Sequence, residues 1–455
     1  MALALMLHQL LAIIIPLALP GWAALVLGGA CAFLLAYGLT FAVRTLCRKM
    51  NWLDRPAERR VHKLPMPRLG GIAIFLAFGL ASLLIYIPGT QNEVNIYWLL
   101  LAASLLTVGI HAYDDVKGLA PGPKLLAQTL AVLIILGPWN GQFQGVLLFT
   151  VNNPFGEHFA NPSLPWYQQP TIDLLVNSQV ISWAAIPAML LTWFWAVGMM
   201  NTVNWIDGMD GLATGVVGIT ALFITLISLM LGQESIAILA GIFTGAVFGF
   251  LPHNWHPARA FMGDSGAMFL GLTLAVLAIM GGAKLALAFM VLGVPILDVA
   301  LVIINRARRG KSPLHYDKTH LHHRLMTTGF SVRQICYLLY GLSLIFGLLA
   351  VSISGLQVGT SAHFFKLIGI GLVGLTMIGL IIWLDRRQRE RGAYISPDNP
   401  KEPPEAPTLP ELTPIPEASA SEQEKRLSLE RDAHPSISTD QPEQRHERLQ
   451  TRLPH

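Results

Sequence analysis

Charge is scarce in this chain. Only 13% of its 455 residues are Asp, Glu, Lys or Arg, whereas 53% are hydrophobic and the mean hydropathy is +0.52. A soluble domain carries roughly 25% charged residues and needs that polar surface to cover its core. A cytosolic enzyme and, for most of the length, a disordered scaffold are therefore excluded. Cysteine is as sparse: Cys31, Cys47 and Cys336 cannot build a disulfide framework, and two of them stand in apolar runs where Cys acts as a small hydrophobe. The apolar residues 1–19 lack the basic flank and small-residue cleavage site of a signal peptide. They are left open as a further span, an interfacial helix or the start of the first span.

Apolar length is what the chain has instead. A membrane-spanning helix needs roughly 20 mostly apolar residues. Eleven such stretches run near 22–46, 70–88, 96–113, 124–139, 180–201, 212–231, 235–252, 266–280, 284–304, 335–354 and 365–384. The fold expected is an all-α polytopic membrane protein with residues 1–384 as one transmembrane catalytic domain. Residues 385–455 hold 14 acidic and 11 basic residues with much Pro and Ser and no apolar period, and are expected to be a disordered tail. Of the 31 Lys and Arg, 29 fall in one alternate set of loops and in the tail, which the positive-inside rule assigns to the cytoplasm. The loop 140–179 contains neither residue and reads as external.

The remaining acids concentrate at the mouths expected to be cytoplasmic. Asp114, Asp115, Asp207, Asp210 and Asp264 come from three separate segments, and acids at membrane depth usually mark function. In HAYDDVKGLAPGPK, adjacent Asp114 and Asp115 repel unless a cation or a shared proton intervenes, and Lys117 and Lys124 can neutralise phosphate. In NTVNWIDGMDGLATG, Asn201, Asn204 and Asp207 recur every three residues on one helical face, while Gly208 and Gly211 permit a tight turn. That pattern suits nucleotide and phosphate contact; helix–helix amide pairing is the alternative. In PARAFMGDSGAMFLG, Asp264 precedes an apolar helix, either as a plain cap or as a hard oxygen ligand for Mg²⁺ beside a phosphate. The run HYDKTHLHHRL clusters His320, His322 and His323 with Arg324, Lys318 and Asp317. It lacks the i, i+4 histidine pair of a zinc helix, so phosphate binding or acid–base work is favoured over zinc. The basic segment LDRPAERRVHKLPMPRLGG anchors two spans and offers His62, Lys63 and Arg68 to a diphosphate. Asp298, inside the ninth span, is expected to pair within the bundle. Gly70, Gly71, Gly266 and Gly271 allow either close helix packing or room for a prenyl tail, with packing the commoner use.

Taken in order, the DD pair, NxxNxxDGxDGL, FMGDxG and HLHHRL resemble the polyprenyl-phosphate N-acetylhexosamine-1-phosphate transferase superfamily of glycosyltransferase 4 type, from about Leu53 to Arg333. MPRLGG and DKTHLHHRL look like its WecA/TagO branch. Leu321 interrupts the histidines that form an unbroken triplet in the phospho-MurNAc-pentapeptide branch, the runner-up reading. The resemblance implies attack by undecaprenyl phosphate on the sugar-linked phosphorus of UDP-GlcNAc, releasing UMP, with Mg²⁺ (or Mn²⁺) as cofactor. It implies Asp264 as metal ligand with Asp115 close to the metal, and Asp114, Asp115, Asp207, His322 and His323 as the catalytic set. His62, Lys63, Arg68, Lys124, Asn201, Asn204, Gly208, Asp210, His320 and Arg324 would bind substrate. Direct transfer and a covalent phospho-aspartate both remain open, as does a homodimer; a nucleic-acid partner is not implied. A multispan transporter and a lipid-binding scaffold are the rivals from other classes. A transporter places its acids near the midplane, often within inverted repeats; a scaffold would leave the aspartates unexplained.

Overall fold

A computed structural model gives the architecture, and it describes residues 20–54, 65–139, 142–148, 150–152, 171–173, 185–281, 289–308, 320–355 and 361–390. Each of the eleven apolar stretches corresponds to a helix. The first four are α1 (Gly21–Lys49), α2 (Gly70–Ile85), α3 (Gln91–Lys117) and α4 (Pro121–Leu136). Then follow α5 (Ile186–Ile206), α6 (Leu212–Met230), α7 (Glu234–Asn254), α8 (Gly263–Met280) and α9 (Gly293–Arg308). A short α10 (Leu321–Thr327) precedes α11 (Val332–Gly355) and α12 (Ser361–Glu390). Eight of these helices are long and apolar enough to cross a membrane, and three further apolar segments of 10–17 residues lie in α2, α4 and α9. The chain is an all-α, multi-pass membrane protein.

Several boundaries differ from the sequence expectation: α12 runs to Glu390, six residues into the expected tail, and two other differences fall at the site. Helix α3 continues through the DD pair to Lys117, so Asp114 and Asp115 stand on its last turn rather than in a loop. Its end is set by Gly118, whose φ of 76° leaves the helical region and whose N–H is accepted by the Asp114 carbonyl. Helix α5 runs to Ile206, which keeps Asn201 and Asn204 helical and makes Asp207 its C-cap.

Burial sorts the helices into centre and periphery. Over their most apolar windows α6 and α8 are 83% buried, whereas α1 and α12 are 22% buried and turn apolar side chains outward. The interior contains Phe75, Phe78, Phe243 and Phe269, whose ring centroids lie 5.5–6.0 Å apart in edge-to-face and tilted arrangements. Close packing accounts for the glycines noted above. A Cβ on Gly71 would strike the backbone of Gly266, one on Gly271 the backbone of Met199 and Met200, and one on Gly70 the ring of Phe250.

Three two-stranded antiparallel pairs complete the described structure: β1 (Leu53–Asp54) with β2 (Met66–Pro67), β3 (Pro138–Trp139) with β4 (Gln142–Phe143), and β5 (Thr150–Asn152) with β6 (Thr171–Asp173). The first pair matters for the site. It registers Leu53 with Pro67. The chain then runs beside the segment before α8: Phe261 N–H donates to the Pro67 carbonyl (2.8 Å), Gly70 N–H to Phe261 (3.0 Å) and Gly71 N–H to Met262 (2.9 Å). These bonds deliver Arg68 to the start of α8.

Candidate active site

The site sits where the last turn of α3 and the first turns of α4 and α8 meet. Lys124 Nζ bonds Asp114 Oδ2 at 2.5 Å and Asp264 Oδ2 at 2.8 Å. Arg68 reaches Asp264 Oδ1 with Nη2 at 2.9 Å and Asp115 Oδ1 with Nε at 3.2 Å. The result is a chain of alternating sign: Asp114, Lys124, Asp264, Arg68, Asp115. Three carboxyl groups share two cations, with Asp207 nearby. Burial would by itself lower the Arg68 pKa, but Asp115 and Asp264 more than offset it, so the guanidinium pKa is raised. Burial, and then the negative charge of Asp264, raises the Asp207 carboxyl well above the usual range.

Asp115 is committed to the start of α8. Its Oδ1 accepts the Asp264 N–H (2.8 Å), its Oδ2 accepts the Ser265 N–H (3.0 Å) and hydroxyl (2.8 Å), and Arg68 Nε lies 3.2 Å from Oδ1 as an ion pair. The side chain thus caps α8 from another helix, a role the sequence did not suggest beside the expected place near the metal. It also removes the reading of Asp264 as a plain cap, because the cap of α8 is supplied from α3. Gly263, with φ of 73°, is required here: a Cβ would land on the Arg68 carbonyl and the Asp115 carboxylate.

Asp114 is buried too, with Oδ1 accepting the Leu119 N–H at 2.6 Å. Arg68 and Lys124, expected on phosphate, are here held by the carboxylates. Asn201 is likewise engaged. Its Nδ2 donates to Gln128 Oε1 and to the Val197 carbonyl, both at 2.8 Å, so it forms an amide pair between α5 and α4. Asn204 and Asp207, one and two turns further on, are partly buried, and Asn204 has no side-chain hydrogen bond among the described residues. Asp210 Oδ2 accepts His256 Nδ1–H (2.7 Å) and the Ala258 N–H (3.0 Å), fixing the loop after α7. The start of α6 is also capped from a distance: Asn254 Oδ1 accepts the Gly211 N–H (3.1 Å) and the Thr214 hydroxyl (2.7 Å). Asn254 and His256 escaped the sequence reading, although HNWH is a polar interruption at the end of an apolar run.

Gly208 joins the aspartate turn to the histidine segment, because a Cβ there would lie 2.6 Å from His322 Nε2. His322 is buried, and desolvation, with His323 and His320 adding to it, lowers its pKa to about 3. It is a neutral packing partner of the turn. His323 and Arg324 are half-exposed, with the His323 ring 4.4 Å from that of His322. His320 bonds Asp298. His62, Lys63, Asp317 and Lys318, residues 1–19, most of the loop 140–179 and the tail from 391 lie outside the described residues.

The profile of glycosyl transferase family 4 matches residues 96–282. A Bacillus subtilis protein, the probable undecaprenyl-phosphate N-acetylglucosaminyl 1-phosphate transferase, is 31% identical over 319 residues, covering 69% of this chain and 80% of its own. The chain belongs to glycosyl transferase family 4. The decaprenyl-phosphate N-acetylglucosaminephosphotransferase of Mycobacterium tuberculosis is 32% identical over 345 residues, covering 70% of this chain and 79% of its own. The phospho-N-acetylmuramoyl-pentapeptide-transferase of Methylacidiphilum infernorum is 30% identical over 314 residues, with coverage of 63% and 78%. All four motif segments of this transferase contribute to the joined network: Asp115 locks Asp264, Asp207 feels Asp264 electrostatically, and Gly208 receives His322.

Proposed function

We propose that the chain transfers GlcNAc-1-phosphate from UDP-GlcNAc to undecaprenyl phosphate, releasing UMP and starting a cell-envelope polysaccharide. The observation that carries this is the alternating chain from Asp114 to Asp115, with Asp207 beside it. Phosphoryl transfer asks a protein for positioning and charge neutralisation above all. Here the carboxyl groups border two cations that a diphosphate can share. The names of the Bacillus and Mycobacterium relatives support the GlcNAc donor over the pentapeptide donor. Leu321 between His320 and His322 supports the same choice.

The donor set suits a hard divalent cation. Asp264 and Asp207 would hold it, and their carboxylates, close enough to repel, need a cation beyond Arg68 and Lys124. Such a cation supplies screening of the diphosphate charge. Among the chain's own groups, Asp114 engages the lipid phosphate, and Asn204 and Asp207 face the uridine diphosphate. His323 and Arg324 sit on phosphate or sugar. Asp115, Asn254 and Asp210 hold the segments that present these groups. The concentration of Lys and Arg in one set of loops supports a cytoplasmic site in the bacterial inner membrane.

UMP release by purified protein tests the reading, with undecaprenyl phosphate, Mg²⁺ and either UDP-GlcNAc or UDP-MurNAc-pentapeptide, beside EDTA and no-lipid controls. Release from UDP-GlcNAc alone, dependent on lipid and metal, is expected. Release only from the pentapeptide donor would move the chain to the other branch. No release from either donor, in folded protein, would return the transporter or scaffold reading.

A further inference from the structure

The histidine segment is held by a residue that lies in none of the four motifs. Asp298 stands on α9, ten residues before that helix ends at Arg308, and its side chain is 8% exposed. Its Oδ2 accepts His320 Nδ1–H at 3.0 Å and its Oδ1 accepts the Leu321 N–H at 2.9 Å. Both oxygens are thus spent on the two residues that open α10. Asp298 also borders a small, mostly apolar cavity with Ile206, Leu212, Val216, Pro295 and Leu339. His322 lines the same cavity, and the His320 and His322 rings stack at 5.9 Å with planes 9° apart. The bond at Nδ1 fixes which way the His320 ring faces.

We infer that Asp298 is a positioning residue: it fixes where α10 begins and how the His320 ring is turned, and through them it presents His323 and Arg324 to the donor substrate. The assignment of the donor side rests on the proposed function above. The hold on α10 does not. A buried carboxylate without solvent has one stable arrangement when both its donors come from a single short segment, so the segment has one stable position as well. The pairing also explains why a charged residue sits inside a span, where an unpaired acid is costly.

Two measurements test this separately. Hydrogen exchange on the substrate-free full chain reads the hold itself: in Asp298→Ala the amides of residues 321–325 exchange about tenfold faster, and Asp298→Asn, which keeps one acceptor for Leu321, gives a smaller rise. Unchanged exchange in both variants overturns the inference. Steady-state kinetics then read its use. KM for UDP-GlcNAc rises about tenfold in Asp298→Asn while KM for undecaprenyl phosphate is unchanged, and adding His320→Ala to Asp298→Asn produces little further loss. A lower kcat with both KM values unchanged would mean a purely structural role and would overturn the donor assignment. If the unmodified chain turns over no UDP-GlcNAc, the proposed function fails, while exchange still decides whether Asp298 holds α10.

Discussion

Asp115 offers the sharpest separation between a capping and a metal-binding role. Asp115→Ala removes the acceptors of two backbone N–H groups at the start of α8 and of the Ser265 hydroxyl, and the ion-pair partner of Arg68 Nε. Loss of a helix cap costs about 0.5–2 kcal/mol. Breaking a fully buried ion pair costs about 3–5 kcal/mol, but the Arg68 side chain is 31% exposed and keeps Asp264, so about 1 kcal/mol is the better figure here. Together these give about 1.5–3 kcal/mol, or a melting temperature lowered by about 2–4 °C for a chain of this size. Asp115→Asn keeps one acceptor oxygen and should lose about half as much. Thermal unfolding in detergent at one fixed scan rate reads this loss, and Mg²⁺ titration of UMP release reads the metal. In Asp115→Asn the Mg²⁺ concentration for half-maximal rate should stay within about threefold of the parent, whereas in Asp264→Asn it should rise tenfold or more. An Asp115→Asn protein with an unchanged melting temperature and a tenfold higher Mg²⁺ requirement would refute the capping argument.

Three further outcomes are expected. Gly208→Ala puts a methyl 2.6 Å from His322 Nε2 and should cut turnover at least a hundredfold while lowering stability by only about 1–3 kcal/mol, read by paired activity and melting assays. His322, with its pKa lowered to about 3 from 6.5, stays neutral when folded but takes up a proton when unfolded below pH 6.5. The unfolded state then binds more protons, so stability is lost as pH falls through that window, by at most about 1.4 kcal/mol per pH unit. Melting temperatures at pH 7.5 and 5.5 should differ less in His322→Gln than in the parent. The Asn201–Gln128 pair should behave as structure: Asn201→Leu costs about 1–2 kcal/mol, Asn201→Leu with Gln128→Leu regains most of it, and KM for UDP-GlcNAc does not move in either.

Hydropathy alone located the spans, because spanning a bilayer imposes a length and an apolarity that are visible locally. What sequence could not show was which neighbour each polar side chain meets. Asp115 and Asp264 are 149 positions apart, and the four helices α4 to α7 intervene before the helix that Asp115 caps. The three-residue spacing of Asn201, Asn204 and Asp207 suggested one helical face; the helix ends at Ile206, before Asp207, and the first amide meets Gln128, 73 positions away. Spacing defines a face; it does not say whether a helix or a ligand lies against it. The histidines were read as a group for the same reason, whereas burial divides them: His322 packs on Gly208 and His320 on Asp298, leaving His323 and Arg324 half-exposed.

The bond between α3 and α8 also bears on how the protein meets bilayers of different thickness. At 1.5 Å per residue the 27 residues of α3 extend about 40 Å and the 18 of α8 about 27 Å. Asp115 ties them together within two residues of the end of α3 and at the very start of α8, so their mismatch in length falls at the opposite ends. There α3 begins with the polar run Gln91-Asn92-Glu93, capped by the Thr90 hydroxyl, a stretch at ease in headgroups or in water. Thinning or thickening of the lipid is therefore taken up at that far end, and turnover in vesicles of short- and long-chain lipids should stay within about twofold over mismatches of a few Å. The bundle is anchored at its chemistry and tolerant at its other face.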